Sequence, residues 1–181
     1  MKKLLAFIAI ILIIGISLLF TFSDYLSENF KTYKIPFDAM APTINADDLI
    51  AVANKTYEAS LPMRGDVIVF VAPFNEKKKF AKRIVGLPGE KIEIRAGRIY
   101  VNGKRIESDK FPDNRYYSNN KDWDYAKEGQ VIDVPDNMYY VLGDKSAHSS
   151  DSRQWGFVPR KNILGKATIV YWPPWRWKLI K

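Results

Sequence analysis

The chain has 181 residues, 47% of them apolar, a formal net charge of +8, no cysteine and one histidine. That length allows one domain plus an anchor or tail, and the apolar share supplies a core, which excludes a disordered chain. Without cysteine there are no disulfides, no thiolate catalysis and no cysteine-containing zinc site; one histidine excludes two-histidine metal motifs, so no metal and no cofactor are expected. The positive charge admits nucleic acid or anionic lipid as partners. It is scattered, however, and its densest run, Lys77-Lys78-Lys79, reads as a solvated loop.

Met1-Lys2-Lys3 precede an uncharged apolar run, Leu4 to Phe22. At 1.5 Å per helical residue this run spans about 28 Å, close to the roughly 30 Å hydrocarbon core of a bilayer. Residues 23–34 balance Asp24 and Glu28 against Lys31 and Lys34, so the positive-inside bias keeps residues 1–3 in the cytoplasm and sends the rest across. A cleaved signal peptide shares the basic start. The run is longer than the usual apolar core of one, though, and Thr21-Phe22-Ser23-Asp24-Tyr25 is too bulky for a cleavage site. The expectation is an uncleaved anchor over 4–22, a linker over 23–34 and an extracytoplasmic domain over 35–181.

That domain reads as mainly β, a barrel or sandwich. Short apolar runs broken by turn residues predict strands at Leu49–Ala53, Asp66–Ala72, Lys82–Gly86, Lys91–Arg95, Arg98–Val101, Val131–Val134, Tyr139–Leu142 and Lys166–Trp172. Ala96-Gly97 predicts a tight hairpin and Asn102-Gly103 a second turn. Residues 104–129 turn polar and irregular, Asn119-Asn120-Lys121-Asp122 among them, and read as a surface excursion. No sustained helical period follows the anchor.

Four segments carry chemistry. They are Ile35-Pro36-Phe37-Asp38-Ala39-Met40-Ala41-Pro42-Thr43-Ile44; Arg64-Gly65-Asp66-Val67-Ile68-Val69-Phe70; Phe80-Ala81-Lys82-Arg83-Ile84-Val85-Gly86-Leu87-Pro88-Gly89; and Leu142-Gly143-Asp144 with Ser149-Ser150-Asp151-Ser152-Arg153-Gln154-Trp155-Gly156-Phe157-Val158-Pro159. In this order, behind an N-terminal anchor, they resemble the boxes of bacterial type I signal peptidases. The resemblance implies a membrane-bound serine endopeptidase that removes signal peptides from exported proteins, with lysine in place of histidine as base. It implies signal peptides and the lipid bilayer as partners, and no nucleic acid.

By that resemblance Lys82 is the general base, Ser149 orients its amine, Asp151 supports the Ser149 loop, and Arg83 and Asp144 form a structural ion pair. Ile35, Pro36, Phe37, Met40, Ile44, Phe80 and Ala81 match the substrate-binding positions. A lysine serves as base only where burial lowers its pKa, and apolar Phe80, Ala81, Ile84 and Val85 surround Lys82 in sequence. On a strand Lys82 and Arg83 face opposite ways.

Two positions depart from the pattern. The nucleophile serine is Ala39 here, and a methyl cannot attack a carbonyl. Phe37 stands where relatives carry Ser or Gly, the Ser form donating to the oxyanion. The loss of one such donor typically costs about 2.7–4 kcal/mol. Lys145-Ser146-Ala147-His148 is a milder departure from the usual sequence after Asp144. His148 with Ser149 and Asp151 is no triad, because its members crowd one turn whereas triad partners converge from separate elements. The aromatic and basic stretch Tyr171–Lys178 suits either a lipid headgroup layer or a packed terminal strand. Two functions stay open: a signal peptidase inactive or impaired through Ala39, and a non-catalytic relative that binds exported peptides or assists an active partner.

Overall fold

The computed structural model describes residues 2–107, 111, 116 and 123–181. Helix α1 (Lys2–Asn29) leads directly into strand β1 (Phe30–Lys34). There follow β2 (Leu49–Ala53), β3 (Val67–Ala72), β4 (Asn75–Gly86), β5 (Lys91–Arg95), β6 (Arg98–Val101), β7 (Lys104–Arg105), β8 (Val131–Asp133) and β9 (Met138–Leu142). A short helix α2 (Ser152–Trp155), β10 (Val158–Pro159), β11 (Ile163–Trp172) and β12 (Lys178–Leu179) complete the order. The domain is mainly β, as the sequence predicts.

The strands form two antiparallel sheets. The larger runs β1-β2-β11-β3-β4-β9-β10 with β12 added to β11, and the smaller runs β7-β6-β5-β8. β3 explains its own apolar run: Val67 and Val69 face one core cluster while Ile68 and Phe70 face another. A strand buried on both faces reads as continuous rather than alternating hydrophobicity. At Ala96 and Gly97 φ is 49° and 72°, and at Asn102 and Gly103 it is 50° and 78°. Both expected turns are therefore left-handed two-residue hairpins, β5 to β6 and β6 to β7, matching the strand twist.

The structure corrects three expectations. Residues 23–34 are not a linker: α1 continues to Asn29, with no glycine or proline after Phe22 to stop it, and β1 pairs with β2 from Phe30↔Ala53 to Lys34↔Leu49. Its sequence, FKTYK, has too few apolar residues to announce an edge strand. Lys77-Lys78-Lys79 are exposed but lie within β4, where Lys79 pairs with Val71. Backbone pairing to β3 is indifferent to side chains that point into water. Finally, the 104–129 segment is not all surface. Tyr116 and Ala126 are buried in the core of the small sheet, with Phe111, Trp123 and Tyr125 packed against it, because that sheet's apolar face needs cover. Asn119 to Asp122 lie outside the described residues.

Within α1, the span Phe7–Asn29 contains an 18-residue window with a mean hydropathy of 2.4, none of it buried. It is long and apolar enough to cross a membrane.

Candidate active site

β1 and β4 are separated in the sheet by β2, β11 and β3, yet they come together: Lys79 Nζ lies 5.5 Å from the centre of the Tyr33 ring. The curled sheet leaves a cleft of about 640 Å³ between the exit of β1 and the length of β4. Ile35, Pro36, Phe37, Ala39 and Met40 line one wall, and Phe80, Ala81 and Lys82 the other. His148, Phe74 and Trp155 also reach it.

Lys82 is 3% exposed. Its amine lies 5.7 Å from the Phe80 ring centre, and burial pulls its pKa down from 10.5 to about 8, against the opposing field of Asp151. Arg83 points the other way, as alternation on a strand requires. Its guanidinium is buried and donates to Asp144 Oδ1 at 2.8 Å and Oδ2 at 2.7 Å, to Gly65 O and to Thr43 Oγ1. Lys82 and Arg83, although they face opposite ways on β4, are both interior.

The lowered pKa has a consequence for stability. The unfolded chain keeps the ordinary lysine value near 10.5, so between about 8 and 10.5 it binds the proton the folded state has shed, and stability rises with pH across that window. Below about 8 both states are charged and the full burial penalty applies, roughly 3 kcal/mol. Lys82→Met should accordingly stabilise the chain by roughly 2–3 kcal/mol at pH 7 and by much less at pH 10. Denaturant titrations of the detergent-solubilised protein at both pH values measure this, and an equal gain at both would contradict it.

Gly143 brings the remaining pieces together. A Cβ built on Gly143 would sit 2.2 Å from Ser149 Oγ and 2.6 Å from Ala39 O, so those two atoms crowd one point that only a glycine leaves open. Lys145 N donates to Ala39 O at 3.0 Å, and the Lys145 ammonium pairs with Asp38. That hydrogen bond holds the Asp38 carboxyl below the usual range. The amide N–H of Ala39 donates to no acceptor among the described residues. Ser149 Oγ is buried and has no hydrogen-bond partner among them. Asp151 caps α2, accepts from Gly143 N at 3.0 Å and is held by the buried Arg153 guanidinium, which also reaches Ser146.

Not every expected residue meets the cleft. Ile44 is fully buried, packed with Met40 and Val67 in the core beneath the Ala39 loop, so it is a support for the wall and not part of the wall. Ser149 and Asp151 sit behind the cleft surface rather than on it. Phe37 is 68% exposed and stands at the mouth instead of filling the interior. His148 lines the cleft, and its backbone N–H closes a turn to Lys145 O. Sequence reasoning missed the contributions of Tyr33, Thr43 and the Asp38–Lys145 pair. The role of Gly143 is likewise set by the fold, the Gly-Asp pair at 143–144 being its one trace in the sequence.

The chain matches the family model for signal peptidase, peptidase S26, over residues 1–172. It is 37% identical over 144 residues to a probable signal peptidase I-2 of Synechocystis sp., an alignment covering 77% of this chain and 62% of that protein. It is 34% identical over 162 residues to signal peptidase I of Bacillus caldolyticus, covering 86% and 82%. A solved signal peptidase I from Enterococcus faecalis V583 matches 59% of this chain and 97% of its own at 32% identity, with a TM-score of 0.49. The chain belongs to the signal peptidase family S26. It spans less than two thirds of the length of the Synechocystis relative.

Proposed function

We propose that the cleft binds signal peptides of exported proteins, and that the chain is a serine–lysine signal peptidase site lacking its nucleophile hydroxyl. The observation that supports this most directly is Lys82, a buried amine in an apolar peptide-sized cleft shared with Ala39. With a pKa of about 8, close to a tenth of it is neutral at pH 7, enough for a general base. In this reading Lys82 is the base, Ser149, whose buried Oγ has no partner among the described residues, is the hydroxyl available to orient its amine, and Asp151 holds the Ser149 loop. The free Ala39 N–H is the oxyanion donor, and Arg83 with Asp144 braces the strand carrying Lys82. Ile35, Pro36, Phe37, Met40, Phe80 and Ala81 contact the peptide. α1 anchors the chain in the membrane with its N-terminus in the cytoplasm, and digestion of the β domain by protease added to intact spheroplasts is the check on that orientation.

A second reading, a non-catalytic binder of exported peptides, is favoured by the same Ala39 together with Phe37. Both readings require binding. The protein as written should bind a fluorescent peptide with Ala at the first and third positions before the cut, measured by anisotropy in detergent, and leave it intact. Phe80→Ala should weaken that binding about fivefold or more by removing cleft wall. No saturable binding would sink both readings, and Lys82-dependent cleavage by the chain as written would overturn the role given to Ala39.

A further inference from the structure

The loop that carries Ala39 has few hydrogen bonds of its own. Ile35 N donates to Asp48 O, Ala41 N to Asp38 O, Ile44 N to Met40 O, Asp47 N to Ile35 O and Asp48 N to Asn45 O. On the cleft side it is held through Lys145. On the opposite side it is crossed by residues 176–181, which return along β11 by pairing Leu179 with Ile169 and Lys178 with Val170.

Alternate residues of this segment face the loop. Arg176 forks onto the Asp48 carboxylate, at 2.8 Å to Oδ1 and 3.2 Å to Oδ2, and Asp48 in turn accepts from Asn45 N at 2.8 Å. Lys178 Nζ donates to Pro42 O at 2.7 Å. Ile180 is 9% exposed and joins the core cluster of Met40 and Ile44, its own N–H tied to Thr168 O. Lys181 O accepts from Arg83 Nη1 at 2.7 Å, and Arg83 Nη2 reaches Thr43 Oγ1. Trp175, Trp177 and Leu179, which alternate with them, are exposed.

We propose that Arg176, Lys178 and Ile180 are positioning residues, a strap that fixes the Ala39 loop from behind at Asp48, Pro42 and Ile44. The inference rests on the cleft being the functional site. Its physical basis is that a loop with few internal bonds opens locally unless neighbouring elements hold it, while a displacement of about 1 Å at a reacting group costs about a hundredfold in rate.

Lys178 provides the mildest test, because its contact is at the surface and its removal leaves the core intact. In the full chain in detergent, Lys178→Met should raise hydrogen exchange at the Ala41 and Ile44 amides by about tenfold or more, with exchange in β5 and β6 unchanged. Lys178→Arg should restore protection, and Ile180→Ala should give the same local pattern through the core contact. In a chain carrying Phe37→Ser and Ala39→Ser, Lys178→Met should lower kcat with KM unchanged. Unchanged exchange in the loop, exchange raised evenly across both sheets, or a rise in KM alone would overturn the strap. If that background does not cleave, the failure belongs to the proposed chemistry, and the exchange data alone decide on the strap.

Discussion

Ala39→Ser combined with Phe37→Ser should produce cleavage at least about 10⁴-fold above the chain as written, because a nucleophile and its base act as a unit and restoring the absent member recovers most of the rate. The chemistry balances within the site. In the proposed reaction neutral Lys82 takes the hydroxyl proton of the introduced serine as its oxygen attacks the carbonyl carbon, and the resulting ammonium protonates the departing amine. A water then attacks the acyl-enzyme by the same route, returning the serine and the lysine to their starting states. The Ala39 N–H, unpartnered among the described residues, stays in place as one oxyanion donor after the substitution, since a backbone donor is indifferent to its side chain. Ala39→Ser alone should give part of the gain, and Phe37→Ser should add about 10²–10³ by supplying the second donor.

The rate should rise with pH through a value near 8, where Lys82 loses its proton, and Lys82→Ala should abolish it. Hydrolysis of a peptide with Ala at the first and third positions before the cut, measured for the four combinations at positions 37 and 39, decides the matter. Bound peptide with no cleavage in any combination would favour the non-catalytic binder.

Gly143→Ala should be damaging although it adds only one methyl. That methyl would lie 2.6 Å from Ala39 O and 2.6 Å from Ser149 Cβ, both well inside contact distance. Ser149 Oγ could rotate away, but Ala39 O is backbone already bonded to Lys145 N, so the loop itself must move. Overpacking of this kind costs about 1–3 kcal/mol in stability. The displaced loop should cost about a hundredfold or more in kcat in the Phe37→Ser, Ala39→Ser background. Adding Ser149→Ala should not restore the lost stability, because it leaves the collisions with the Ala39 carbonyl and with Cβ of residue 149. An undiminished kcat in Gly143→Ala would show that the glycine only fills space.

What is local in this protein was legible in its residues. The charge-free run of α1, the hairpins at Ala96-Gly97 and Asn102-Gly103, and the opposite facing of Lys82 and Arg83 follow from periodicity and turn chemistry, which neighbours in sequence decide. The spans of β2, β5 and β6 were likewise readable, because apolar side chains alternate or cluster along them. The boxes around Ala39, Lys82 and Ser149 identified the family, since each is a continuous string.

The tertiary structure decided which strings meet and which side chains stay inside. Ile44, four residues from Met40 in sequence, turns into the core while Met40 also reaches the cleft, a difference set by the bend of the loop and by the residues packed beneath it. β1 became a cleft wall only because a curled sheet carried it to β4 across three intervening strands. The strap from Arg176 to Lys181 holds a loop far away in the chain, Lys178 lying 136 residues beyond Pro42. Long-range pairings of this kind depend on sheet order and on buried charges finding partners, Asp48 with Arg176 and Asp144 with Arg83. A buried ion must be paired wherever its partner lies in the chain, and that partner is set by the fold and not by spacing.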